Sequence, residues 1–180
     1  MKRTFTIAAL ALSALLLMAS AASAQVAPGT YAAVFDDTQA PSGTHVANNS
    51  ADPSCTVAEE TFDVDCSAFV LGGVGNMNAT STLEAEYTAT IDCNNPGNNR
   101  NNPIESHEAS FSDTDSDRVT PGRNGQLRVP ATSASAGSVE QVCPNDNWVP
   151  EIRAGTLELV SFTYTLTFDD FDFPYITISG

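Results

Sequence analysis

Leu83-Glu84-Ala85-Glu86-Tyr87-Thr88-Ala89-Thr90-Ile91-Asp92-Cys93 alternates without a break: every odd position is apolar and every even one polar. Side chains of an extended chain point to opposite faces with period two, whereas a helix would need apolar residues three and four apart. The segment therefore predicts a strand with one buried face and one wet face, the pattern of an antiparallel sheet. Phe162-Thr163-Tyr164-Thr165-Leu166-Thr167-Phe168 repeats the alternation on even positions. Just upstream, Leu157 and Leu159 sit on the opposite parity, so a bulge or break is expected near Val160.

Shorter candidates fill the rest of the chain. Thr30 to Phe35 reads as a first strand. Cys55 to Ala58 and Thr61 to Cys66 read as a hairpin around Glu59-Glu60, continued by Ala68 to Leu71. Gly125 to Val129 follows the Asn124-Gly125 turn signal, and Tyr175 to Ile178 is a last strand. No window shows helical periodicity with caps. Three stretches read as loops: 94–103, which holds six Asn in ten positions, the acidic and turn-rich 112–123, and the small-residue run 131–138. The expected fold is all-β, an antiparallel β-sandwich of immunoglobulin-like architecture, with residues 25–180 as one domain. An outer-membrane barrel is the rival. Ten prolines, four cysteines, irregular strand spacing and a final glycine disfavour it.

The N-terminus predicts export. Lys2 and Arg3 precede an apolar run from Ile7 to Met18, and Ala22-Ser23-Ala24 is the small-x-small site that a signal peptidase cuts. Removing residues 1–24 from the 180-residue chain leaves 156 and takes the formal charge from −15 to −17. Lys2 is the chain's one lysine, so every remaining base is arginine. That balance excludes a Schiff-base or phosphate-loop lysine, offers no footprint for nucleic acid, and repels anionic membranes. The expected location is secreted or periplasmic, with no membrane insertion after cleavage.

Cys55, Cys66, Cys93 and Cys143 make an even set in an exported chain, which predicts two disulfides. Gaps of 11, 27 and 50 residues lack the paired short spacing of a zinc site. In the predicted hairpin Cys55 faces Cys66, which leaves Cys93 for Cys143. A register slip would instead bring Cys55 to Cys93.

Two features suggest sites. Asp113, Asp115 and Asp117 alternate along an acidic stretch, and hard oxygen ligands from a short segment suit Ca²⁺. The stretch departs from the helix-loop-helix calcium motif at Arg118, where glycine would turn the chain, and at Asn124, where a glutamate would close the shell. The second feature is Asp169-Asp170-Phe171-Asp172-Phe173, expected at a hairpin tip, where aromatics among acids would suit a cationic, protein or carbohydrate partner. Trp148, five residues after Cys143, is expected to pack against the disulfide.

Signals of catalysis are sparse. His45 and His107 are the candidate neutral-pH bases, neither beside a nucleophile motif. The expected function is a non-catalytic extracellular or periplasmic binding or structural module with no cofactor. A calcium-dependent adhesion module using the Asp113–Asp117 stretch is the alternative, and a small secreted hydrolase working through a carboxylate pair or His107 is the second.

Overall fold

The computed structural model describes residues 25–97, 103–137 and 143–180. The predicted export signal, half of the asparagine-rich stretch (98–102) and residues 138–142 lie outside the described residues. Within them the chain is nearly all β. In order come β1 (Gly29–Ala32), β2 (Val34–Phe35), a 3-10 turn (Asp37–Gln39), β3 (His45–Val46), β4 (Ser54–Val57), β5 (Val64–Cys66) and β6 (Phe69–Gly72). The long β7 (Ala79–Asn94) and β8 (Glu105–Val119) follow, then β9 (Leu127–Val129) and β10 (Thr132–Ala134). β11 (Val149–Ile152), β12 (Glu158–Phe168) and β13 (Ile176–Ser179) close the order.

Every pairing is antiparallel. One sheet runs β1-β4-β5-β10, a second runs β11-β7-β12-β13-β2 with β8 on the other side of β7, and a third runs β3-β6-β9. β7 organises the second sheet as its alternation predicts. Its odd positions from Ala79 to Cys93 are all buried, and its even positions up to Asp92 face outward. β12 pairs with β7 from Glu158↔Thr88 to Phe168↔Ala79, and the register shifts between Leu159 and Ser161. That irregularity at Val160 moves the inward face from Leu159 to Phe162, reconciling the two parities.

One cluster of buried side chains, from Val26 to Ile178, draws on all three sheets. A smaller one under the far end of β7 joins Ala89, Ile91 and Cys93 to Cys143, Trp148, Ile152 and Leu157. Trp148 therefore packs beside its half-cystine. The cysteines pair as Cys55–Cys66 and Cys93–Cys143. Cys55 and Cys66 face each other in the β4–β5 register. One glycine is dictated by close approach. At Gly73 φ is +75°, and a Cβ would sit 2.1 Å from the Gly43 carbonyl oxygen.

Two expected loops are strands. The acidic stretch belongs to the 15-residue β8, which pairs with β7 from Ala79↔Val119 to Cys93↔Glu105. His107 is a strand residue opposite Ile91. The small-residue run contributes β10, which pairs with β5, and its Ala134 is buried. Of the asparagine-rich stretch, Asn94 is the buried last residue of β7.

Candidate functional site

The connection from β12 to β13 forms a tip at one end of the second sheet. The Asp169 N–H donates to the Asn78 carbonyl at 2.9 Å, the Phe171 N–H to the Phe168 carbonyl at 3.3 Å, and Asp170 adopts φ +66°. Left-handed backbone is unusual for a residue with a side chain, and aspartate is among those that tolerate it.

The five anticipated residues divide. The Asp169 carboxylate pairs with the Arg118 guanidinium and accepts from Asn78 Nδ2 at 3.3 Å. Phe171 is half-buried against the main core. Both are committed to the fold. Asp170, Asp172 and Phe173 face solvent, and Phe173 is 65% exposed.

A second segment, distant in sequence, lies against this tip. The Phe173 N–H donates to Gln39 Oε1 at 3.3 Å, and the Asp36 N–H to the Tyr175 carbonyl at 2.8 Å. β2 forms the sheet edge here, with Phe35 opposite Ile176 and Val34 opposite Thr177. The Phe35 ring meets Tyr175 edge-on at 5.5 Å, yet Phe35 is 39% exposed and Val34 71%. The Asp36 carboxylate is occupied at the start of the 3-10 turn, accepting from the Thr38 N–H at 3.0 Å and hydroxyl at 2.6 Å. Asp37 is exposed. Burial first, and then the negative charge of Asp37, hold the Tyr175 hydroxyl above its ordinary range. Beside the tip a cleft of about 390 Å³ is lined by Val74, Asn76, Met77, Asn78, Asp169 and Asp170.

Val34 and Phe35 point to opposite faces of the edge strand β2, and with Phe173 they leave apolar surface exposed along this edge and tip, among exposed acids. Asp37, Asp170 and Asp172 have no ion-pair partner among the described residues, whose ion pairs are Arg118–Asp169 and Arg153–Asp92. Phe35-Asp36-Asp37 and Phe168-Asp169-Asp170 carry the same tripeptide. That repetition says nothing of proximity, and the pairing of β2 with β13 is visible only in the fold.

The aspartates proposed for calcium are arranged differently from a binding loop. Asp113, Asp115 and Asp117 share one face of an extended strand, about 7 Å apart in succession. They stand opposite the core residues Ala85, Leu83 and Ser81, on the inward face of the sheet's outermost strand. Asp113 Oδ2 accepts from the Ser135 N–H at 2.9 Å, and Asp115 Oδ2 accepts from the Thr132 hydroxyl. Among the described residues no three or more His, Cys, Asp or Glu are grouped to hold a metal ion.

His107 and His45 stand apart from one another. His107 Nδ1 is buried without a partner among the described residues, whereas His45 Nδ1 bonds the Gly43 carbonyl at 2.8 Å. A trough of about 530 Å³ over β7 and β8 holds Glu108 and Glu158 among Thr88, Thr90, Ser110 and Thr156. No protein-family model, curated protein or solved structure matches the chain.

Proposed function

We propose that the chain is an exported, non-catalytic binding module of immunoglobulin-like sandwich architecture, docking its partner at the edge formed by β2 and the β12–β13 tip. The observation that carries this reading is that three of the five exposed large apolar side chains among the described residues, Val34, Phe35 and Phe173, belong to the edge strand β2 and the tip beside it. Exposed apolar side chains are ordinary singly; grouped ones mark interaction surfaces. Two disulfides, and no helix among the described residues long and apolar enough to cross a membrane, are compatible with an exported protein.

The test is retention of exported proteins or envelope carbohydrates on immobilised residues 25–180. The double variant Val34→Ser/Phe173→Ser is expected to lose about tenfold in affinity, the loss of one contact hot spot. Its melting midpoint is expected to stay put, because exposed substitutions cost little stability. Undiminished retention by the variant sinks the reading. The reading also expects a thermal midpoint indifferent to Ca²⁺ and chelator. A bound ion at about 100 times its dissociation constant would add roughly 2.7 kcal/mol and raise the midpoint by several degrees. Such a rise would return the calcium-dependent alternative to first place.

A further inference from the structure

Resting on that docking reading, we infer the partner's chemistry: the β2 edge and the β12–β13 tip take a basic protein segment in which arginine or lysine alternates with apolar side chains. Three observations narrow the occupant. Val34, Phe35 and Phe173 stand on an exposed edge and tip, and none of them lines the adjoining 390 Å³ cleft. Small ligands are held in concave sites that enclose most of their surface, so this relief suits a macromolecule.

The rim selects for positive charge. Asp37, Asp170 and Asp172 are exposed and without an ion-pair partner among the described residues, and Arg118 is spent on Asp169. Charges at an interface rim steer association and reject like-charged partners. A second copy of this chain brings the same acids to the same rim, and an anionic membrane brings its own negative potential. A basic segment neutralises the rim while its apolar side chains cover Val34 and Phe173.

The test uses the oxidised mature protein and two synthetic peptides, one alternating arginine with leucine and one with glutamine in place of every arginine. The arginine peptide is expected to bind, more weakly as salt rises. The triple variant Asp37→Asn/Asp170→Asn/Asp172→Asn is expected to weaken it at least tenfold. Asparagine tolerates the left-handed backbone at position 170, and an unchanged melting midpoint checks the fold. The control triple Glu59→Gln/Glu60→Gln/Asp65→Asn, on the β4–β5 hairpin, removes equal charge and is expected to cost less than twofold. Equal losses from the two triples overturn the inference, because binding would then follow total charge. Equal binding of the glutamine peptide, abolished by Val34→Ser/Phe173→Ser, overturns the basic partner and leaves the docking edge standing. Indifference of every probe to Val34→Ser/Phe173→Ser overturns both. Binding to anionic vesicles, or a dimer in sedimentation that Phe173→Ser dissolves, overturns the basic segment in favour of a membrane or a second copy.

Discussion

Tyr87 carries a hydroxyl into the main core. Its ring is fully buried and stacks on Phe111 at 5.8 Å, and its hydroxyl reaches the Phe62 carbonyl at 3.4 Å. Burial, reinforced by the negative charges of Asp63 and Asp113, pushes the hydroxyl up to about 12 from an ordinary 10. Burial also raises Tyr164. A raised pKa means that the folded protein keeps a proton that the unfolded chain loses. Stability is therefore fully present below pH 10 and falls as pH rises toward 12. Denaturant titrations between pH 9 and 11.5 should show it, and Tyr87→Phe should flatten the slope. At the acid end the sign reverses. Hydrogen bonds from Arg153 and then Ser106 hold Asp92 below the usual carboxylate range. Its contribution is present above the unfolded value and is lost as pH falls through the folded one. Arg153→Gln should return Asp92 toward the ordinary range, as an NMR titration of its carboxyl would read.

β8 shows how an element can escape its own sequence. β7 announces itself because each inward position is apolar or small. The inward positions of β8 are Glu105, His107, Ala109, Phe111, Asp113, Asp115, Asp117 and Val119, so the apolar alternation fails at Glu105 and His107 and again at the three aspartates. They are tolerated there because, among the described residues, β8 pairs only with β7, and Asp115 and Asp117 on its inward face meet water at the rim of the sheet. Two of the three bond segment 132–135, tying the edge of one sheet to the edge of another. Asp115→Ala should cost about 1 kcal/mol through the lost bond to Thr132, and Asp117→Ala, with no such partner among the described residues, less than about 0.5 kcal/mol. Urea midpoints of the two variants would separate them. β10 was illegible for another reason: three residues with a single apolar one, Ala134, carry no period. The Val160 irregularity and the Cys55–Cys66 register were legible because each is local, read from parity or spacing within one hairpin. The proposed docking edge is half legible. Phe173 could be suspected in the tip, whereas its neighbour Gln39 lies 134 positions away and is reached only through the fold.

At the scale of the molecule, the two disulfides do unequal work. Cys55–Cys66 spans 11 positions and Cys93–Cys143 spans 50. Loop closure gives about 3 kcal/mol for the first and about 4 kcal/mol for the second. The second also anchors the small cluster around Trp148 to the far end of β7. The Cys93→Ser/Cys143→Ser variant should therefore melt below Cys55→Ser/Cys66→Ser, which differential scanning calorimetry would rank. The inward aspartates of β8 have a consequence for crowded solutions. A fifteen-residue strand with one edge unpaired among the described residues is a template on which another chain could stack into a fibril. In a parallel, in-register stack, Asp113, Asp115 and Asp117 of each copy would lie about 4.8 Å from those of the next, in columns of uncompensated charge that deny the stack its dry zipper. Two of these carboxylates, Asp113 and Asp115, hold two sheets together within one molecule, and in such a stack all three would repel their copies in the next.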